Sequence, residues 1–152
     1  MLGLGHRVQL SVLFMLGNAL AAHAFLVADP GVEAMKARVP TINVGERPHL
    51  CVQIAERELA DVDKLYSATD IEHAQTELTD VVTYSELARD YSIQSHKYQK
   101  QTEIAVRVMT RKLTEVMHAL AHDDQAPVQA AIIRLQRVRD DLLAAMFKKG
   151  TK

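Results

Sequence analysis

The chain has no tryptophan, three phenylalanines and one cysteine in 152 residues. Without large aromatics, any core must be built from aliphatic side chains and must be thin. A single cysteine, Cys51, excludes an intrachain disulfide. Burial as a small apolar side chain is the plain expectation for it. In an oxidising compartment, an intermolecular bridge or a reactive thiol are the alternatives. Its distance from the N-terminus does not suit a lipoprotein attachment site. There is no Cys-x-x-Cys-His haem attachment motif and no glycine-rich phosphate loop. Glycine is absent from His49 to Lys149, and the only proline there is Pro127.

Charge is missing from one more stretch. Val8 to Ala28 contains no Asp, Glu, Lys or Arg, and most of its residues are apolar. It follows a short, weakly basic start and ends at Ala22-His23-Ala24, the small-x-small pattern that a signal peptidase recognises. Residues 1–24 are therefore predicted to be a signal peptide, with Ala21 a lesser cleavage point, and the protein to be secreted or periplasmic. The rival reading is an uncleaved anchor, because a bilayer-spanning helix needs roughly 20 apolar residues. Contact with a membrane is expected only on that rival. Gln9, Ser11, Gly17, Asn18 and His23 interrupt the stretch and favour the signal. Cleavage would leave 17 basic and 19 acidic residues. That balance argues against a nucleic-acid partner, whose phosphates call for excess Lys and Arg.

Residues 25–48 hold Pro30, Gly31, Pro40, Gly45 and Pro48. The spacing leaves no room for a helix of useful length, so a linker or loosely docked arm is predicted. Residues 49–149 differ sharply. Ala, Leu, Glu, Lys, Arg and Gln dominate, all good helix formers. Apolar residues recur in alternating steps of three and four. One run is Val52, Ala55, Leu59, Val62 and Tyr66, and a second is Ile71, Ala74, Leu78 and Val81. Val106, Met109, Leu113, Val116 and Leu120 form a third. Val128, Ala131, Leu135, Val138, Leu142 and Ala145 form a fourth. Such spacing sets one stripe on each helix, the seam of helix pairs and bundles. The fold class is all-α.

Breaks are predicted at Ser67–Asp70 and His122–Asp124. Asp70 and Asp124 are candidate N-caps, Pro127 suits a first helical turn, and Gly150 is a helix stop. Between residues 70 and 122 no comparable breaker exists. Ile71, Leu78, Ser85, Ser92, Gln99, Val106, Leu113 and Leu120 keep one seven-residue register. The absence of a breaker favours one central helix about 80 Å long, carrying a helical hairpin at each end and an uncovered middle. The alternative is two helices meeting near Ser92–Lys97, closing into an antiparallel four-helix bundle.

Candidate chemistry is sparse. Glu115, His118 and His122 would share a helix face, and His-x3-His spacing can hold Zn²⁺ or Cu²⁺. The seam residues Val116 and Leu120 place them toward solvent, so exposed helix-end histidines are the simpler reading and no metal is assigned. A second Glu-x-x-His is missing, which excludes a di-iron carboxylate site. Serines lack a nucleophile-elbow context. No catalytic residue and no cofactor are expected, and the protein is not expected to be an enzyme. Tyr84, Tyr91 and Tyr98 are seven apart with Leu87 between them. Tyrosine combines an apolar body with a polar tip, which suits interfaces. These four residues are the predicted partner surface if the middle of the rod is bare. Otherwise they pack on the chain's own helices. Arg107, Arg111, Lys112, Arg134, Arg137, Arg139, Lys148 and Lys149 make the C-terminal half basic. That half is a solvated surface or a contact for an acidic partner.

The run Leu65-Tyr66-x3-Asp70-Ile71-x2-Ala74-x3-Leu78-x2-Val81 resembles the middle of one tetratricopeptide hairpin, with Val62 where a small residue is usual. No second copy follows, so the array that forms a peptide groove is absent. Glu103-Ile104-Ala105-Val106-Arg107 to Leu113, followed by Asp123-Asp124-Gln125-Ala126-Pro127-Val128, is similar to small secreted helical proteins of bacteria that remain functionally uncharacterised. The combined expectation is a secreted, non-enzymatic helical protein that works by contact with an unidentified protein partner or by forming a homo-oligomer. A metal- or ligand-binding periplasmic module and a membrane-tethered stalk are the alternatives.

Overall fold

The computed structural model describes residues 30–148, so the uncharged N-terminal stretch, its cleavage points and Gly150 lie outside the described residues. Five α-helices account for most of what is described: α1 (Pro30–Arg38), α2 (Arg47–Ser67), α3 (Ile71–Ser95), α4 (Gln99–Ala119) and α5 (Gln125–Phe147). A 3-10 turn, His122–Asp124, leads into α5. Among the described residues no helix is long and apolar enough to cross a membrane.

The bundle consists of α2, α3, α5 and α4 in cyclic order around one core. Neighbouring pairs are α2 with α3, α3 with α5, α5 with α4 and α4 with α2. Each apolar stripe read from the sequence turns inward. Val62, Ala74, Val81, Val106, Leu113, Val128, Leu135, Val138 and Leu142 are sealed from solvent. The core is aliphatic, as the scarcity of aromatics requires. Small residues on α3 let its neighbours come close: Ala74, Ser85, Ala88 and Ser92 are all fully buried. Ser85 satisfies its hydroxyl by donating to the Val81 carbonyl at 2.7 Å.

The single long helix is overturned. The chain breaks at His96–Tyr98, where His96 (φ 58°) and Tyr98 (φ 60°) both adopt left-handed backbone. These are ordinary residues in a conformation that L side chains enter reluctantly, so neighbours must hold it. Ser95 donates its hydroxyl to the Tyr91 carbonyl at 2.6 Å and accepts from the Lys97 N–H at 3.3 Å. Across the break, the Ser92 and Thr102 hydroxyls meet at 3.0 Å in a buried site. Tyr98 stacks on His49 of α2, ring centroids 5.7 Å apart, and donates its hydroxyl to Glu46 at 3.2 Å. The four-helix closure is the arrangement that forms, and no bare rod middle remains.

The α2–α3 turn falls where the sequence places it. The Asp70 N–H donates to the Leu65 carbonyl at 2.9 Å and the Thr69 N–H to that of Tyr66 at 3.0 Å. This pairing is the Schellman closure of a helix end. It places Thr69, not a glycine, in the left-handed position (φ 59°). The two predicted aspartate caps do not form, since neither Asp70 nor Asp124 makes a side-chain cap bond. The Asp70 carboxylate instead receives His73 Nδ1 at 2.8 Å.

Residues 30–38 are helical, contrary to the expectation of a helix-free arm. Pro30 stands in the first turn of α1, where its missing N–H is harmless, and the helix ends before Pro40. Val32 of α1 and Val39 just beyond it pack with Leu50, Cys51, Ile54 and Ala88 in a second, smaller core. Arg47 ties down the connecting loop by donating to the carbonyls of Ile42 (3.2 Å) and Pro40 (3.0 Å).

Candidate functional site

Two features stand apart from ordinary bundle packing: a carboxylate cluster beneath α1, and a cationic groove between α4 and α5.

The cluster forms because α1 lays one lysine over the α2–α3 seam. Lys36 Nζ lies 2.9 Å from Glu33, 2.7 Å from Glu58 and 2.7 Å from Asp80. It also sits 5.8 Å above the Tyr84 ring. Glu58 is 3% exposed, which is exceptional for a carboxylate. Its approach to Lys36 is an ion pair without an aligned hydrogen bond at Oε1. Burial opposes the charge on Lys36, but the Asp80, Glu58 and Glu33 carboxylates facing its ammonium outweigh it and hold its pKa above the usual lysine range. Glu58, Glu77 and Asp80 bring oxygens within 4.8 Å of one another, a spacing that would suit a cation. The Lys36 ammonium already supplies that cation, so the cluster reads as an internal electrostatic anchor for α1.

Glu77 carries the cluster's pH response. A hydrogen bond with Glu58, and then burial, push its pKa up to about 8. The folded state therefore keeps a proton that the unfolded chain releases near the ordinary glutamate value. Between those two values the folded state binds more protons, so this contribution to stability is present at low pH and is lost as pH rises toward 8. Glu77→Gln keeps the hydrogen-bonding shape and cannot ionise. Its melting temperature relative to wild type is expected to rise steadily from about pH 5 to about pH 8. A constant difference across that range would contradict the shared proton.

The groove lies on the far side of the bundle from that anchor. Arg107, Thr110, Arg111, Thr114, Glu115 and His118 of α4 line one wall, and Gln136 and Arg139 of α5 line the other, around about 380 Å³. Helical spacing brings these α4 residues to one side. The two threonines direct their hydroxyls to their own helix: Thr110 donates to the Val106 carbonyl at 2.8 Å, and Thr114 to that of Thr110 at 2.9 Å. Arg139 Nε lies 2.8 Å and Arg107 Nε 4.0 Å from the same Glu103 oxygen. One nearly buried carboxylate thus faces two guanidinium groups. Arg111 has no ion-pair partner among the described residues. On the two helices that form the groove, Ile104 (39% exposed), Val108 (47%) and Ile133 (43%) are large aliphatic residues left facing solvent.

Elsewhere Arg134, Arg89 and Lys112 pair between helices. Arg134 holds Glu86 with two bonds of 2.8 and 3.0 Å, Arg89 reaches Asp141 at 3.0 Å, and Lys112 reaches Asp63 at 3.1 Å. These exposed pairs position α5 and α4 on their neighbours and each add little to stability.

The residues singled out from sequence divide differently. Tyr84, Leu87 and Tyr91 pack against the small core under α1, with Arg47 5.1 Å above the Tyr91 ring. Tyr98 is occupied by His49 and Glu46. The rod with a bare middle does not form; the chain folds its own α1 and α2 against these four residues, which stay half-buried. Glu115 and His118 stay on α4, but the helix ends at Ala119 and His122 begins a 3-10 turn. The shared helical face with His122 is thereby lost, and these three are not among the described acidic and histidine residues that converge as a cation site. Cys51 is fully buried, and burial pushes its thiol up to about 12 against the opposing pull of Arg47. A thiol so placed is a packing group rather than a nucleophile. Lys36, Glu58 and Glu77 went unnoticed because the sequence signal for them was only a charged residue on an apolar stripe. Glu58 precedes Leu59 on the buried side of α2.

No family model, curated protein or solved structure matches this chain.

Proposed function

We propose that the protein is a non-enzymatic helical module, secreted or periplasmic, that works by contact with another protein chain or with a second copy of itself. The observation that carries this reading is the α4–α5 face. Three large aliphatic side chains, Ile104, Val108 and Ile133, remain exposed on the two helices whose arginines rim the groove. Apolar groups edged by arginine are the composition of protein contact surfaces. The non-enzymatic part is supported by the chemistry elsewhere. The clustered carboxylates are held by Lys36, and the one thiol is sealed in a core. The address is supported by the charge-free stretch Val8–Ala28 and its Ala22-His23-Ala24 ending.

A photo-crosslinking amino acid placed at Val108 or Ile133 of the full chain, expressed in its native host, tests the reading. Defined protein adducts are expected from both positions and not from Thr83, an exposed site on α3. Adducts of twice the chain mass would identify self-association. Equal labelling from all three positions, or none from Val108 and Ile133, would remove the α4–α5 face from the proposal. Intact mass of the same purified protein reports whether residues 1–24 are removed.

A further inference from the structure

We infer that the α4–α5 groove takes an acidic amphipathic helix of a partner protein, seated as a fifth member of the bundle. The inference rests on the contact reading above and adds the chemistry of the occupant.

Shape comes first. Ile104, Val108, Arg111 and Glu115 follow one another at steps of four, three and four, so they line a single stripe on α4 about 17 Å long. Ile133 and Gln136, three apart, do the same on α5. Two neighbouring helices that each offer an exposed stripe form the bed into which bundle helices pack, ridge into groove. There is no strand among the described residues, and hence no sheet edge there that an extended peptide might join. A helix of three to four turns would cover Ile104, Val108 and Ile133 together.

Charge then selects the occupant. Residues 30–98 carry twelve acidic and seven basic side chains, whereas residues 99–148 carry eight basic and six acidic. The groove lies wholly in the second, cationic part. Arg107 and Arg139 share Glu103, and Arg111 has no ion pair among the described residues, so even with the exposed Glu115 the three arginines leave the groove net positive. Threonine hydroxyls already bonded to backbone offer no competing donor. A partner helix with an apolar face bordered by glutamates would satisfy the arginines while covering the aliphatic residues. A lysine-rich helix would meet like charge, a penalty that decides specificity.

Two labelled peptides of about 18 residues test this. Both carry leucine at helical spacing, one flanked by glutamates and the other by lysines, and both are titrated into the purified protein by fluorescence anisotropy. The glutamate peptide is expected to bind roughly tenfold or more tightly than the lysine peptide, and to weaken with added salt. Arg111→Glu and Val108→Ser, both at exposed positions, are expected to weaken it while leaving circular dichroism unchanged. Equal binding of the two peptides would overturn the charge selection. The crosslinks expected at Val108 and Ile133 would be untouched by that result, so the contact reading fails or stands separately. Absence of binding by either peptide overturns the inference. So does undiminished binding by the Arg111 and Val108 variants, or a preference for anionic phosphatidylserine vesicles over the glutamate peptide.

Discussion

Lys36→Ala is expected to destabilise the protein by about 3–5 kcal/mol, the cost of breaking a buried pair from one side. The residue lies on the shortest α-helix described, yet its ammonium faces Glu58, which is 3% exposed, and it also holds Asp80 and Glu33. Removing the ammonium leaves the Glu58 and Asp80 carboxylates without their shared cation. The variant's response to pH identifies the cause. Protonation relieves carboxylates left without a cation, so the deficit relative to wild type, read from urea unfolding, is expected to shrink as pH is lowered from about 7 to about 5. Lys36→Met combined with Glu58→Gln removes the charge on both sides and is expected to recover most of the loss, because a neutral pair in that position carries no penalty for buried charge. A loss under about 1 kcal/mol for Lys36→Ala would mean that water reaches the cluster and that α1 is not anchored through it.

Leu135→Ala is expected to cost about 2–5 kcal/mol, the range for emptying a leucine site in a packed core. Leu135 has no exposure and shares one cluster with Leu113, Val106 and Leu142. With no tryptophan in the chain and no phenylalanine among the core residues, most side chains of that cluster are aliphatic and too small to fill the hole. Ile133→Ala, two residues away on the exposed face of the same helix, is expected to change stability by no more than about 0.5 kcal/mol. The contrast uses similar chemistry on one helix and differs only in burial. Similar losses at the two positions, measured by urea unfolding with unchanged m-values, would contradict the placement of α5.

The all-α class was legible because a hundred residues without glycine, dense in strong helix formers and repeating at three and four, have few other ways to bury apolar surface. The α2–α3 boundary and the start of α5 were legible too, from Ser67–Asp70 and Pro127. The α3–α4 break was not. His96 and Tyr98 are common helix residues, and no local rule ends a helix at them. Their left-handed backbone depends on Ser95, His49 and Glu46, two of which lie about fifty positions away in the chain. α1 escaped notice for the opposite reason. Pro30 and Pro40 looked like breakers, but one opens the helix and the other lies beyond its end.

Composition and periodicity alone determined that this protein is helical, that its core is aliphatic and that its lone cysteine makes no disulfide within the chain, since these follow from short-range preferences and residue counts. Tertiary structure decided where the central stretch turns back, and hence whether Tyr84, Leu87, Tyr91 and Tyr98 are bare or covered. It also decided that Lys36 meets Glu58 and Asp80, and that Arg107, Arg111 and Arg139 share one groove. Each of those outcomes is a meeting of residues distant in the chain, and periodicity within one helix says which face is apolar without saying what that face will meet.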